Sequence, residues 1–81
     1  MRVTVRLFAR LREIAGTAEM ARDVAAGATI GGLWRDLVRD CPALEPYERS
    51  ISSAVNEDYA RMDTELREGD DVAFLPPVSG G

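Results

Sequence analysis

One stretch of this 81-residue chain carries a helical repeat, and whatever else folds must cover its apolar face. After Thr29, the residues Ile30, Leu33, Trp34, Leu37 and Val38 recur at the spacing that lines one side of an α-helix. Arg35, Asp36, Arg39 and Asp40 take the other side. Thr29 is a suitable N-cap. Cys41-Pro42 ends the repeat, because a residue before proline avoids helical backbone angles. Gly31 and Gly32 each weaken the first turn by about 1 kcal/mol relative to alanine. No glutamate stands at the fourth position of a capping box, so tertiary packing must hold the start of this helix.

The flanking segments read as strands. From Arg2 to Phe8 the chain alternates, with Val3, Val5 and Leu7 on one face and Arg2, Thr4, Arg6 and Phe8 on the other. This predicts a half-buried strand with the valines inward and Phe8 exposed among arginines. Ala9 to Gly16 predicts a short helical turn closed by a C-terminal glycine, with Leu11 and Ile14 facing the core. Thr17 to Val24 alternates weakly and is read as a second strand, antiparallel to the first across a wide loop. Beyond the main helix, Pro42 to Ser50 reads as a loop anchored by Leu44 and Tyr47, and Ile51 to Val55 as a third strand. A tight turn at Asn56-Glu57 or Glu57-Asp58 leads to a short strand near Tyr59-Ala60-Arg61. A brief turn at Thr64-Glu65 places Leu66 in the core, and the last strand follows Glu68-Gly69-Asp70-Asp71. One amphipathic helix among strands predicts an α+β layer pair: a mixed sheet of about five strands covered on one face by the helix.

The end of the chain is the second constraint. Val72 to Leu75 is apolar, and Pro76 and Pro77 have no N–H for a ladder, so pairing should stop there. The expected organisation is a domain over residues 1–76 and an extended, flexible tail over 77–81. Those last five residues span at most about 17 Å. Gly80 and Gly81 lack Cβ atoms and suit a channel too narrow for any other residue. The one chemical group that such a tip offers is the α-carboxylate of Gly81. A carboxylate becomes an acyl donor only after one oxygen is made a leaving group, and adenylation by ATP does this. No G-x-x-x-x-G-K-[ST] sequence is present, so ATP must be bound by a partner and no cofactor by this chain.

Composition narrows the classes further. At 46% apolar and 30% charged the chain reads as globular. A net charge of −4 argues against nucleic acid and anionic membrane as partners. All ten basic residues are arginine, so no ε-amine is available for self-conjugation. A single cysteine forms no internal disulfide, and with no signal-peptide or membrane-spanning pattern the expected compartment is reducing and cytoplasmic. Cys41 has no histidine to activate it and Asp40 beside it, which favours a structural thiol over a nucleophile or persulfide site. Asp36, Asp40, Asp70 and Asp71 match no metal-loop spacing and read as solvated faces, so no metal site is expected. Without histidine or an activated nucleophile, the chain should convert no substrate alone.

The order of elements is that of the ubiquitin-like β-grasp fold, and three blocks resemble a particular family. Phe8-Ala9-Arg10-Leu11-Arg12-Glu13, Ala54-Val55-Asn56 and Glu68 through Gly81 are similar to the small, sulfur-carrying subunit of molybdopterin synthase, in spacing and in total length. The resemblance implies that an adenylating enzyme related to ubiquitin-activating enzymes activates Gly81, supported by Gly80, and that a sulfur donor converts it to a thiocarboxylate. It implies a second partner, the large catalytic subunit, in a heterotetramer of two small and two large chains. There the tail enters the active site and gives sulfur to a cyclic pterin phosphate, forming the dithiolene that holds molybdenum. In a β-grasp sheet the first and last strands lie parallel in the centre. Phe8 and Leu75 then close adjacent strands on the face away from the helix, with Tyr59 nearby. These three, with Pro76, Pro77, Val78 and Ser79, are the expected partner-binding residues. A carrier for another pathway, of the thiamine type, remains open, although thiamine-type carriers are usually shorter. A ubiquitin-like protein modifier and a non-covalent interaction module also remain open.

Overall fold

The structure, a computed structural model, describes residues 1–77. Five strands and two α-helices follow in the order β1 (Arg2–Leu7), α1 (Ala9–Ala15), β2 (Glu19–Asp23), α2 (Ile30–Asp40), β3 (Ser52–Val55), β4 (Asp58–Tyr59) and β5 (Asp71–Leu75). The sheet order is β2-β1-β5-β3-β4. Only the central pair, β1 and β5, is parallel; β1–β2, β3–β5 and β3–β4 are antiparallel. This is the mixed sheet that the alternation predicts, with the first and last strands side by side.

Parity sets the two faces. Val3, Val5 and Leu7 of β1 and Val72 and Phe74 of β5 are buried against Ile30, Leu33, Trp34 and Leu37 of α2. Leu11, Leu44 and Leu66 close the ends of this core. The register pairs Val5 with Val72 and Leu7 with Phe74, so the central strands present one continuous apolar surface to the helix.

The start of α2 is held from outside, as its two glycines require. Thr29 Oγ1 accepts the Gly32 N–H at 3.1 Å. The N–H groups of Ile30 and Gly31, which no helix can satisfy internally, donate to the Thr64 and Met62 carbonyls at 3.0 and 2.8 Å. The approach explains Gly31: a Cβ there would lie 3.2 Å from the Met62 carbonyl oxygen. At the other end Cys41 leaves helical angles, with φ −139° and ψ 82°. Gly16 closes α1 with φ 79° and its N–H on the Arg12 carbonyl.

Three expectations are corrected. Pro42–Tyr47 is a 3-10 helix rather than an open loop, and it buries Leu44 while half-burying Tyr47. Proline at its first position lacks an N–H that would have gone unpaired, which favours a tight turn. The short strand is Asp58–Tyr59, starting one residue nearer the turn and ending two residues sooner than the Tyr59-Ala60-Arg61 expected. Its register follows from the turn: Asn56 and Glu57, with φ 50° and 74°, form a two-residue hairpin that pairs Val55 with Asp58 and Ala54 with Tyr59. The second strand is shorter than Thr17–Val24 because the Thr17 hydroxyl donates to the Glu19 carbonyl and organises a local turn before it.

Candidate functional site

The face of the sheet opposite α2 carries a shallow groove of about 410 Å³. Its floor is small because Ala73 of β5 and Ala54 of β3 are cross-strand partners at the centre of the sheet. Arg6 lies beside Ala73 on one side, and Tyr59 lies beside Ala54 on the other. Phe8 and Leu75 form the apolar end, where β1 and β5 finish. Phe8 is 44% exposed and Tyr59 is 80% exposed, whereas Leu75 is half-buried. Phe8, Tyr59 and Leu75 are thus brought together on the uncovered face. Pro76, half-buried, and Pro77, exposed, continue from Leu75 beyond the last strand. The groove therefore sits at the root of the tail. Val78, Ser79, Gly80 and Gly81 lie outside the described residues.

The polar end of the groove is formed by Arg6, Asp71 and Glu57. The Arg6 Nε–H donates to both carboxylate oxygens of Asp71, at 2.9 and 2.8 Å, and Nη1 donates to Glu19 Oε1 at 2.8 Å. Hydrogen bonding to Asp71, then the charges of Asp71 and Glu19, push the Arg6 pKa up from its ordinary value. An Asn56 clamp fixes the neighbouring turn. Its side chain donates to Asp70 Oδ1 and accepts the Asp71 N–H, both at 3.0 Å, and its own N–H donates to the Asp71 carbonyl at 2.8 Å. Asp70 Oδ2 also accepts the Arg67 N–H at 2.8 Å. Asp70 and Asp71 are therefore turn-forming and ion-pairing groups. Asp36 and Asp40, on α2, pair with Arg39 and Arg22.

Sequence reasoning missed Arg6, Ala54, Glu57, Asp71 and Ala73 as groove residues. The alternation of β1 and β5 already placed Arg6 and Ala73 on the open face. Their meeting with Ala54 and Glu57 depends on the β3–β5 register, which no local pattern encodes. Cys41 is half-buried, and its Sγ lies 3.7 Å from the Ile14 carbonyl oxygen, far from the groove residues in the fold. Among the described residues no cluster of histidine, cysteine or acidic side chains is arranged to hold a metal, and no helix is long and apolar enough to cross a membrane.

A five-stranded mixed sheet of this order, covered on one face by a single main helix, is the ubiquitin-like β-grasp fold. The chain belongs to the ThiS family, whose model matches residues 5–81. It is 37% identical to the molybdopterin synthase sulfur carrier subunit of Chlamydomonas reinhardtii, with all of both chains covered. It is 38% identical to the protein of the same name from Escherichia coli strain K12, over 98% of this chain and 99% of that one. Among solved structures, SAMP1 from Haloferax volcanii superposes over the whole of both chains with a TM-score of 0.86 at 33% identity.

Proposed function

We propose that this chain is the sulfur carrier of a molybdopterin synthase. The observation that carries the reading is similarity to named carrier subunits over the whole of this chain. In this reading an adenylating partner, using ATP, joins the Gly81 carboxylate to AMP with loss of pyrophosphate. A sulfur donor then displaces AMP and leaves a thiocarboxylate. The large synthase subunit takes up the tail, and two loaded carriers in turn each pass one sulfur atom to a cyclic pterin phosphate to build the two-sulfur dithiolene, with water cleaving the acyl–sulfur bond and returning each Gly81 to carboxylate. The chain itself supplies the acyl terminus and the docking face, works in the cytoplasm, and performs no turnover alone. The test is intact mass after incubation with adenylating enzyme, ATP and sulfur donor. The expected product shows sulfur in place of one carboxylate oxygen, and it yields molybdopterin only when the large subunit is added. A chain that never gains sulfur overturns the reading.

The likeness to SAMP1, a small archaeal modifier protein, favours a second reading, in which the activated glycine is joined to protein amines. The products separate the two, since a modifier yields isopeptide-linked proteins rather than dithiolene. With arginine at all ten basic positions, such a modifier could not extend into chains through lysine.

Docking supplies a separate prediction. Phe8 and Leu75 are apolar groups at the root of the tail and contribute little to the core, so truncating either one removes binding area rather than stability. Phe8→Ala or Leu75→Ala is expected to weaken binding to the large subunit and to the adenylating enzyme by about 1–3 kcal/mol each, with small changes in melting temperature. Calorimetric titration of each variant against each partner measures this. Unchanged affinity for both partners shows that the groove is not the docking face.

A further inference from the structure

We infer that Glu57 is a specificity-determining residue that receives an arginine or lysine side chain of the large synthase subunit docked in the groove; this rests on the carrier reading above. Three observations converge on it. The first is backbone strain. Glu57 sits at φ 74°, in the left-handed region that favours glycine, at the second position of a turn for which asparagine-glycine is the ordinary sequence. A glutamate there raises the energy of the free protein, and strain of this kind concentrates at sites where a particular side chain is needed. The non-glycine residues with positive φ are Ala9, Asn56 and Glu57 among the described residues. Ala9 immediately follows Phe8, and Asn56 and Glu57 form the turn beside Tyr59, so all of this strain borders the groove. Asn56 has its explanation in the clamp to Asp70 and Asp71. Among the described residues Glu57 has no such explanation.

The second observation is an unused charge. Among the described residues Glu57 makes no hydrogen bond or ion pair through its side chain, although it lines the groove. Arg6, the cation lining the same groove, is held by Asp71 and Glu19. The third is the charge balance that results. Two carboxylates engage the one guanidinium, and Glu57 adds a further negative charge beside the exposed Tyr59 ring. The groove thus pairs an apolar end at Phe8 and Leu75 with a net acidic end. The complementary surface presents an apolar anchor at the ends of β1 and β5 and, toward the start of β5, a cation. An acidic side chain or a neutral carbonyl would meet Glu57 at a loss, because desolvating a carboxylate without a donor is costly.

Two substitutions separate charge from conformation. Glu57→Gln keeps the strain and removes the charge. Glu57→Gly removes both, and its melting temperature is expected to equal or exceed that of the unaltered chain, since glycine tolerates this φ. Full-length variants are titrated against the purified large subunit at low and high salt. Both should bind about tenfold more weakly than the unaltered chain at low salt, and the affinity of Glu57→Gln should depend less on salt. Unchanged affinity of Glu57→Gln overturns the assignment, as does a loss in both variants with undiminished salt dependence. If the unaltered chain does not bind the large subunit, the carrier reading fails and this inference falls with it. If the unaltered chain binds and only the charge effect is missing, the carrier reading stands alone.

Discussion

Removal of Gly81 is expected to abolish sulfur loading and to leave the melting temperature where it was. On the carrier reading, the reacting carbon belongs to the last residue, and a chain ending on Gly80 presents it one residue short. One residue of extended chain is about 3.3–3.6 Å, far outside the tolerance of a reacting pair, for which about 1 Å of misplacement already costs about a hundredfold. Among the described residues the last member of the core along the chain is Phe74, so the deletion is expected to leave the core intact. Thiocarboxylate formation, read by intact mass, should therefore fall below detection while thermal melts of the two chains superpose. Normal loading of the shortened chain contradicts a carrier whose working group is Gly81. A substantial drop in melting temperature contradicts a tail that takes no part in the fold.

How much of this was legible depends on the range of the interaction. The strands β1 and β5 and the helix α2 could be read directly, because each carries a periodicity that one face of the element enforces on its own residues. Val3, Val5 and Leu7 alternate because the helix lies over one side of the sheet. Ile30, Leu33, Trp34 and Leu37 recur because the sheet lies under one side of the helix. The same parity put Phe8 and Leu75 on the outer face. Elements whose causes are distant were read less well. The two glycines at the start of α2 look like a weakness until the Met62 carbonyl is placed against Gly31. The 3-10 helix at Pro42–Tyr47 is governed by burial of Leu44 against the helices rather than by any repeat. β4 was displaced because Asn56 and Glu57, both left-handed, make the hairpin loop as short as two residues.

The groove shows the same limit more sharply. Its apolar end was predictable, because Phe8 and Leu75 sit at the ends of strands that alternate cleanly. Its floor and its acidic end were not. Ala73 and Ala54 are unremarkable in the sequence, and only their pairing across β5 and β3 leaves room for a groove between Phe8 and Tyr59. Arg6 and Asp71 are far apart in the chain, and the parallel register that sets Arg6 beside Ala73 brings them into contact. The β3–β4 turn that carries Glu57 reaches this place because Asn56 ties it to the start of β5.

Phe74→Ala is expected to cost about 3–5 kcal/mol of stability, enough to leave this domain partly unfolded at physiological temperature. Phe74 is fully buried on the central strand, and its ring lies 5.1 Å from that of Trp34 at an interplanar angle of 54°, an edge-tilted aromatic pair. The indole N–H of Trp34 is buried and finds no hydrogen-bond partner among the described residues, so apolar packing is what holds that ring in place. Removing its aromatic partner leaves a cavity between sheet and helix that neighbouring side chains fill only in part. A domain of this size loses about 4–8 °C of melting temperature per kcal/mol, so the shift should be about 12–40 °C. Leu75→Ala, at the next residue, faces the groove instead of the helix and should leave the melt nearly unmoved while weakening partner binding. Adjacent positions on one strand then give opposite outcomes, because successive side chains leave opposite faces of the sheet. Thermal and urea melts of the two variants, run beside titrations with the large subunit, measure both effects. A Phe74→Ala chain that melts within a few degrees of the parent means that the Trp34–Phe74 contact is not the centre of the core. A Leu75→Ala chain that melts as low as Phe74→Ala means that the outer face is not free to serve binding alone.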